Sequence, residues 1–132
     1  MKQGVPKYLW FENVFYWLFT QQFFMDRARL EESIRLAVDY PHPQSISDFK
    51  RQLDAVNAFD FRSKIKKISA ATLVVAGEQD ILIPADESKL LSRLIGQAKF
   101  EIIKNSAHSV HMENPWEFIR TVKDFLSGTD HE

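Results

Sequence analysis

The stretch from Thr72 to Pro115 constrains this chain more than any other. A short apolar run, Thr72-Leu73-Val74-Val75-Ala76, stops at Gly77 and is followed by Glu78, Gln79 and Asp80. A run that is continuously apolar and rich in β-branched residues reads as a strand buried on both faces of a parallel sheet. Ile81-Leu82-Ile83-Pro84 leads into a helix that Pro84 and Asp86 open, with Leu90, Leu91, Leu94 and Ile95 inward and Gly96 as its stop. A second strand, about Ala98 to Ile103, ends in Ser106-Ala107-His108 and then Ser109-Val110-His111-Met112-Glu113-Asn114-Pro115. A strand–helix–strand crossover is right-handed almost without exception, which makes the two strands parallel and adjacent. Asp80 and His108 then both fall just past the carboxyl ends of those strands, the edge where open α/β sheets place their ligands. An acid at the end of one strand and a histidine at the end of the next is how an imidazole base gains its orienting carboxylate.

Residues 1–60 read as helices. Lys7 to about Phe24 is apolar nearly all round (Trp10, Phe11, Val14, Phe15, Trp17, Leu18), which suits a helix covered on more than one side. Asp26 caps a second helix whose Leu30, Ile34 and Val38 share a face, and Pro41 and Pro43 end it near Tyr40. Ser45-Ile46-Ser47-Asp48 has the form of a capping box and opens a third helix with Phe49, Leu53 and Val56 as its stripe. Phe61 to Ile68 is basic and irregular, a connecting segment whose charges read as a solvated face. After His108, Asn114 caps the last helix, Pro115 takes its first position and Glu117 completes a capping box. Trp116, Ile119, Val122, Phe125 and Leu126 form its buried stripe, and the tail from Ser127 to Glu132 is expected to fray.

Composition narrows the function. The chain has 132 residues, 45% apolar and 27% charged, the make-up of one ordinary globular domain. A formal net charge of −1 offers no electrostatic attraction to nucleic acid or an anionic membrane. With no cysteine there is no disulfide, thiol nucleophile or cysteine metal site, and the chain fits a reducing compartment such as the cytoplasm. The apolar segment Tyr8–Met25 raises the question of a membrane span. Glu12 and Asn13 interrupt it early and Gln21 and Gln22 late, so its uninterrupted core is too short to cross.

The block from Phe59 to Leu126 resembles the C-terminal part of an α/β-hydrolase. The resemblance runs through Asp60-Phe61-Arg62, Ile65 and Ile68, strand Leu73–Ala76, Gly77-Glu78-Gln79-Asp80, Ile83-Pro84, Ala107-His108 and Glu113-Asn114-Pro115-Trp116-Glu117-Phe118. It implies an α/β fold in which residues 1–60 are a helical cap and residues 61–132 hold the last two strands and helices of the core. It implies Asp80 as the acid and His108 as the base of a catalytic triad, in the family's order of serine, acid, histidine. No metal or organic cofactor is implied. Two positions depart from the family's habit: Ala71 stands where proline is common, and Ala107 where glycine is common, the second with some expected backbone strain. A larger departure is that no Gly-x-Ser-x-Gly elbow occurs in these residues.

Each residue also has a plainer reading. Asp80 alone is a turn-former after a strand, and His108 alone a satisfied loop histidine. His108, His111 and Glu113 could be read as zinc ligands, although the loop lacks an established ligand spacing. His111 fits better at an active-site mouth, and Glu113 at the start of the last helix. Ser109 lacks the elbow and oxyanion hole of a nucleophile. The aromatic set Trp10, Phe15, Trp17, Phe23 and Phe24 suits packing more than binding; as a binding surface it would favour an apolar or aromatic acyl group. The expectation is therefore an esterase-like hydrolase fragment that holds acid and base but no nucleophile, inactive alone. Its partners would be its missing N-terminal half or further copies of itself. The alternative is a non-enzymatic interaction or oligomerisation module derived from such an enzyme.

Overall fold

In a computed structural model, which describes residues 4–128, four helices precede a strand–helix–strand–helix unit. The order is α1 Lys7–Leu18, α2 Gln21–Met25, α3 Arg27–Val38, α4 Ile46–Ala58, a 3₁₀ turn Ile65–Lys67, β1 Leu73–Gly77, α5 Ala85–Ile95, β2 Lys99–Ile103, α6 Val110–Glu113 and α7 Pro115–Ser127. The two strands are parallel neighbours, with Leu73 opposite Lys99 and Gly77 opposite Ile103. Most of the expected terminal fraying falls on residues 129–132, outside the described residues.

The helical half builds its own core. Phe15, Phe19, Phe23, Leu30 and Ile34 form one buried cluster, with Phe11, Leu18, Phe24, Ala37 and Val38 packed around it. Phe15 and Phe19 meet edge-on at 4.9 Å, and Phe19 stacks on Phe23 at 4.1 Å. Asp26 caps α3 as expected, accepting from the Arg29 N–H at 3.0 Å. The single helix expected from Lys7 to Phe24 is instead broken at Phe19 and Thr20. Thr20 is extended, and its hydroxyl accepts from the Phe23 N–H to start α2. The Thr20 N–H, which would have continued α1, donates to the Glu113 carboxylate at 2.8 Å.

Elsewhere the apolar stripes are present but uncovered. Ser45 caps α4 by accepting from Asp48 N–H, yet no residue of α4 is buried and Phe49, Leu53 and Val56 face solvent. On α5 only Ser92 and Ile95 are buried; Leu90, Leu91 and Leu94, expected inward, are exposed. The stripe of α7 is open at Trp116 (82% exposed), Ile119 and Leu126, while Val122 and Phe125 are half-buried. β1, expected to be buried on both faces, is buried only at Ala76 and Gly77. The described elements that touch α5, α7 and β1 cover these faces only in part. Asn114 precedes Pro115 as expected but makes no side-chain cap, and Glu117 pairs with Arg120 rather than closing a capping box. Among the described residues no helix is long and apolar enough to cross a membrane.

Candidate active site

The loops that leave β1 and β2 are laced together, and this places Asp80 beside His108. Glu78 N–H donates to Ile103 O at 3.0 Å and Gln79 N–H to Ser106 O at 2.9 Å. Asn105 N–H returns a bond to the Glu78 carboxylate at 3.1 Å. Gly77 is what allows so close a crossing, since a Cβ there would lie 2.1 Å from the Ala107 carbonyl oxygen. Asn105 takes the left-handed conformation (φ 53°) that turns the chain after β2. It is the only described non-glycine residue with positive φ, so the strain expected at Ala107 is absent.

Asp80 is held by its own turn. One carboxylate oxygen accepts from the backbone N–H groups of Leu82 and Ile83 at 2.9 and 3.0 Å. The other lies 2.9 Å from His108 Nδ1. The Asp80 side chain is 7% exposed and that of His108 is 36% exposed, a sheltered carboxylate behind an accessible ring. A carboxylate only accepts hydrogen bonds, so the ring must donate through Nδ1–H, which leaves the Nε2 lone pair available to take a proton. The two residues named from sequence are thus brought together, from positions 28 apart in the chain.

An open cleft of about 560 Å³ is lined in part by Asp80. Glu78, Gln79, Asp80 and Ile81 form one wall, and Tyr16, Phe19, Thr20, Gln21 and Phe24 of the helical half form the other. Tyr16 stacks flat on Phe24 at 4.3 Å, giving that wall an aromatic face. Of the aromatic set weighed from sequence, Phe15 and Phe23 are core, Trp10 and Trp17 are exposed, and only Phe24 lines the cleft. Tyr16 went unnoticed because it sits amid the apolar run. Its signal was the spacing to Phe24 across the helix break.

His111, expected at the mouth, instead lies edge-on to Phe118 of α7 at 6.2 Å. Glu113, expected to begin the last helix, ends α6, and its carboxylate turns back into the His108 loop. Among the described residues no three His, Asp or Glu side chains are grouped to hold a metal ion. Ser109 is buried, and its N–H donates to Leu18 O at 3.0 Å, tying this loop to the end of α1.

Comparison with known proteins places this arrangement in context. The family model described as alpha/beta hydrolase fold matches residues 6–115. A proline iminopeptidase, PfmaB, of Pestalotiopsis fici is 32% identical over 68 residues, covering 52% of this chain and 24% of that protein. A pyrrolizixenacetamide deacetylase of Xenorhabdus hominickii is 30% identical over 80 residues, 61% of this chain and 30% of its own length. The enol-lactonase from Burkholderia xenovorans LB400 superposes with a TM-score of 0.77 at 20% identity, over 92% of this chain and 45% of that one. The chain spans less than half the length of each of these three proteins.

Proposed function

Because the chain belongs to the alpha/beta hydrolase fold family, we propose that it carries the acid–base half of a serine-type hydrolase. The observation that carries this reading is the 2.9 Å contact between His108 Nδ1 and an Asp80 carboxylate whose other oxygen is fixed by two backbone N–H groups. In this reading a serine outside these residues attacks the acyl carbon. His108 Nε2 accepts the serine proton and then delivers it to the leaving alcohol or amine. Asp80 holds the ring in the required tautomer and stabilises the imidazolium that forms. Residues 1–60 serve as the cap and 61–132 as the last part of the core. The Tyr16 and Phe24 wall favours an ester-like substrate with an apolar or aromatic acyl group. The names of two relatives, a deacetylase and an iminopeptidase, fit a hydrolytic reading.

No Gly-x-Ser-x-Gly occurs in the 132 residues, so the chain by itself is proposed to be inactive. Purified chain and His108→Ala should hydrolyse a short-chain p-nitrophenyl ester at the same background rate. A His108-dependent rate would overturn that proposal. Joined in frame behind the N-terminal portion of the Xenorhabdus hominickii deacetylase, the chain should regain ester hydrolysis. Asp80→Asn and His108→Ala in that fusion should each lower kcat by about 10³ to 10⁴.

A second reading, an interaction or oligomerisation module, draws on the uncovered apolar faces of α4, α5 and α7 and on a two-stranded sheet open at both edges. Light scattering coupled to size exclusion at tens of micromolar separates the cases, since a clean monomer would remove the support for this second reading.

A further inference from the structure

One carboxylate joins the two halves of the molecule. Glu113 Oε1 accepts both the Thr20 N–H, at 2.8 Å, and the Thr20 hydroxyl, at 2.7 Å. Glu113 Oε2 accepts the N–H of Ala107, the residue before His108, at 2.5 Å. The partners are 93 positions apart on one side and 6 on the other. All three bonds are partly buried, where a charge-assisted hydrogen bond is stronger than one in water.

Two neighbouring contacts run in the same direction. Ser109 N–H donates to Leu18 O, and Arg29 of α3 donates to the carbonyl oxygens of Met112 and Glu113. The break between α1 and α2 is therefore fastened to the loop that carries His108. That break also sets Phe19, Thr20 and Gln21 on the cleft wall opposite Asp80.

We infer that Glu113 is a positioning residue: its bridge from Thr20 to Ala107 sets the His108 ring against Asp80 and fixes the aromatic cleft wall relative to that ring. This rests on the reading of Asp80 and His108 as an acid–base pair. Both carboxylate oxygens are needed. A glutamine keeps one acceptor but turns the other position into a donor, which would face either the Ala107 N–H or the two Thr20 donors.

The test uses the whole chain and needs no catalysis. Two-dimensional NMR reads the His108 ring nitrogen shifts, and amide exchange reads Thr20 and Ala107, in wild type, Glu113→Gln, Thr20→Val, Thr20→Ser and Asp80→Asn. In Glu113→Gln both amides should exchange at least about tenfold faster and the His108 ring shifts should move. Thr20→Val, which keeps the backbone donor but removes the hydroxyl that donates to Glu113 and caps α2, should move the ring the same way by less. Thr20→Ser, which keeps both donors, should restore the wild-type spectrum.

Unchanged ring shifts in both Glu113→Gln and Thr20→Val would overturn the inference. So would a Thr20→Ser spectrum as far from wild type as that of Thr20→Val. If Glu113→Gln does not fold, the two Thr20 variants decide by the same criterion. Asp80→Asn separates the underlying reading: a His108 ring indifferent to Asp80 would sink the acid–base pair, whatever Glu113 does.

Discussion

Helices α3 and α7 are nearly equal in length, 12 and 13 residues, and both carry an apolar stripe at helical spacing. In α3 Leu30 and Ile34 are at 0% exposure beneath the phenylalanines of α1 and α2, with Val38 partly buried beside them. In α7 nothing is buried. The difference lies in supply. An amphipathic pattern states that a face needs cover, and whether the chain provides that cover is a separate fact. Residues 4–40 supply the cover for their own core. The α/β half leaves much of α5 and α7 exposed and both edges of its two-stranded sheet unpaired among the described residues.

The largest effect should come from breaking the covered side. Leu30→Ala removes a fully buried side chain from the aromatic cluster and should cost about 2 to 5 kcal/mol, read as a lower urea midpoint. If it cost under about 1 kcal/mol, the helical half would not be the stable part of the molecule. Next comes Gly77→Ala, where the added methyl meets backbone rather than a yielding side chain, with the Ala107 and Ser106 carbonyl oxygens 2.1 and 2.6 Å away. Overpacking of this kind costs about 1 to 3 kcal/mol. The loop should shift to relieve it, so loss of the Asp80–His108 contact in the ring nitrogen shifts is the accompanying sign.

Ile119→Ala on α7 sharpens the contrast, being a comparable truncation on an equally apolar stripe. Stability of the single chain should change by no more than about 0.5 kcal/mol, because the side chain is already exposed. Self-association, measured by sedimentation velocity at rising concentration, should weaken instead. A stability loss like that of Leu30→Ala would mean that α7 is covered in solution by part of this same chain.

What was legible in the sequence follows the same division. The strands, the crossover helix and the approach of Asp80 to His108 could be read because each depends on local pattern and on the fixed chirality of the crossover. The cap of α3 at Asp26 was equally local. The break at Thr20 was not legible, because the partner of its N–H is a carboxylate 93 residues away. For the same reason local pattern places Glu113 at a helix start, whereas its carboxylate reaches back to Thr20 and Ala107. Of the stripes of α5 and α7 only Ile95 is buried, since periodicity carries no information about what lies opposite.

The smallest effect belongs to a pair at the joint between the halves. Arg62 holds the Asp60 carboxyl down to about 2, through a side-chain hydrogen bond first and a backbone one second. A depressed folded-state value means the pair contributes above the ordinary carboxylate range and loses that contribution as pH falls through about 2. Both side chains are largely exposed, so the contribution is heavily screened. Asp60→Asn should therefore melt marginally below wild type at pH 7, and the two melting curves should converge as pH approaches 2. Asp60 reaches a partner two residues away and fastens only its own turn. Glu113 reaches across the molecule and should show coupling to Thr20 in a double-mutant cycle, where Asp60 shows none with any residue of α1 to α3. Coupling of Asp60 to that helical half would mean the joint, and not the Glu113 bridge, holds the two halves together.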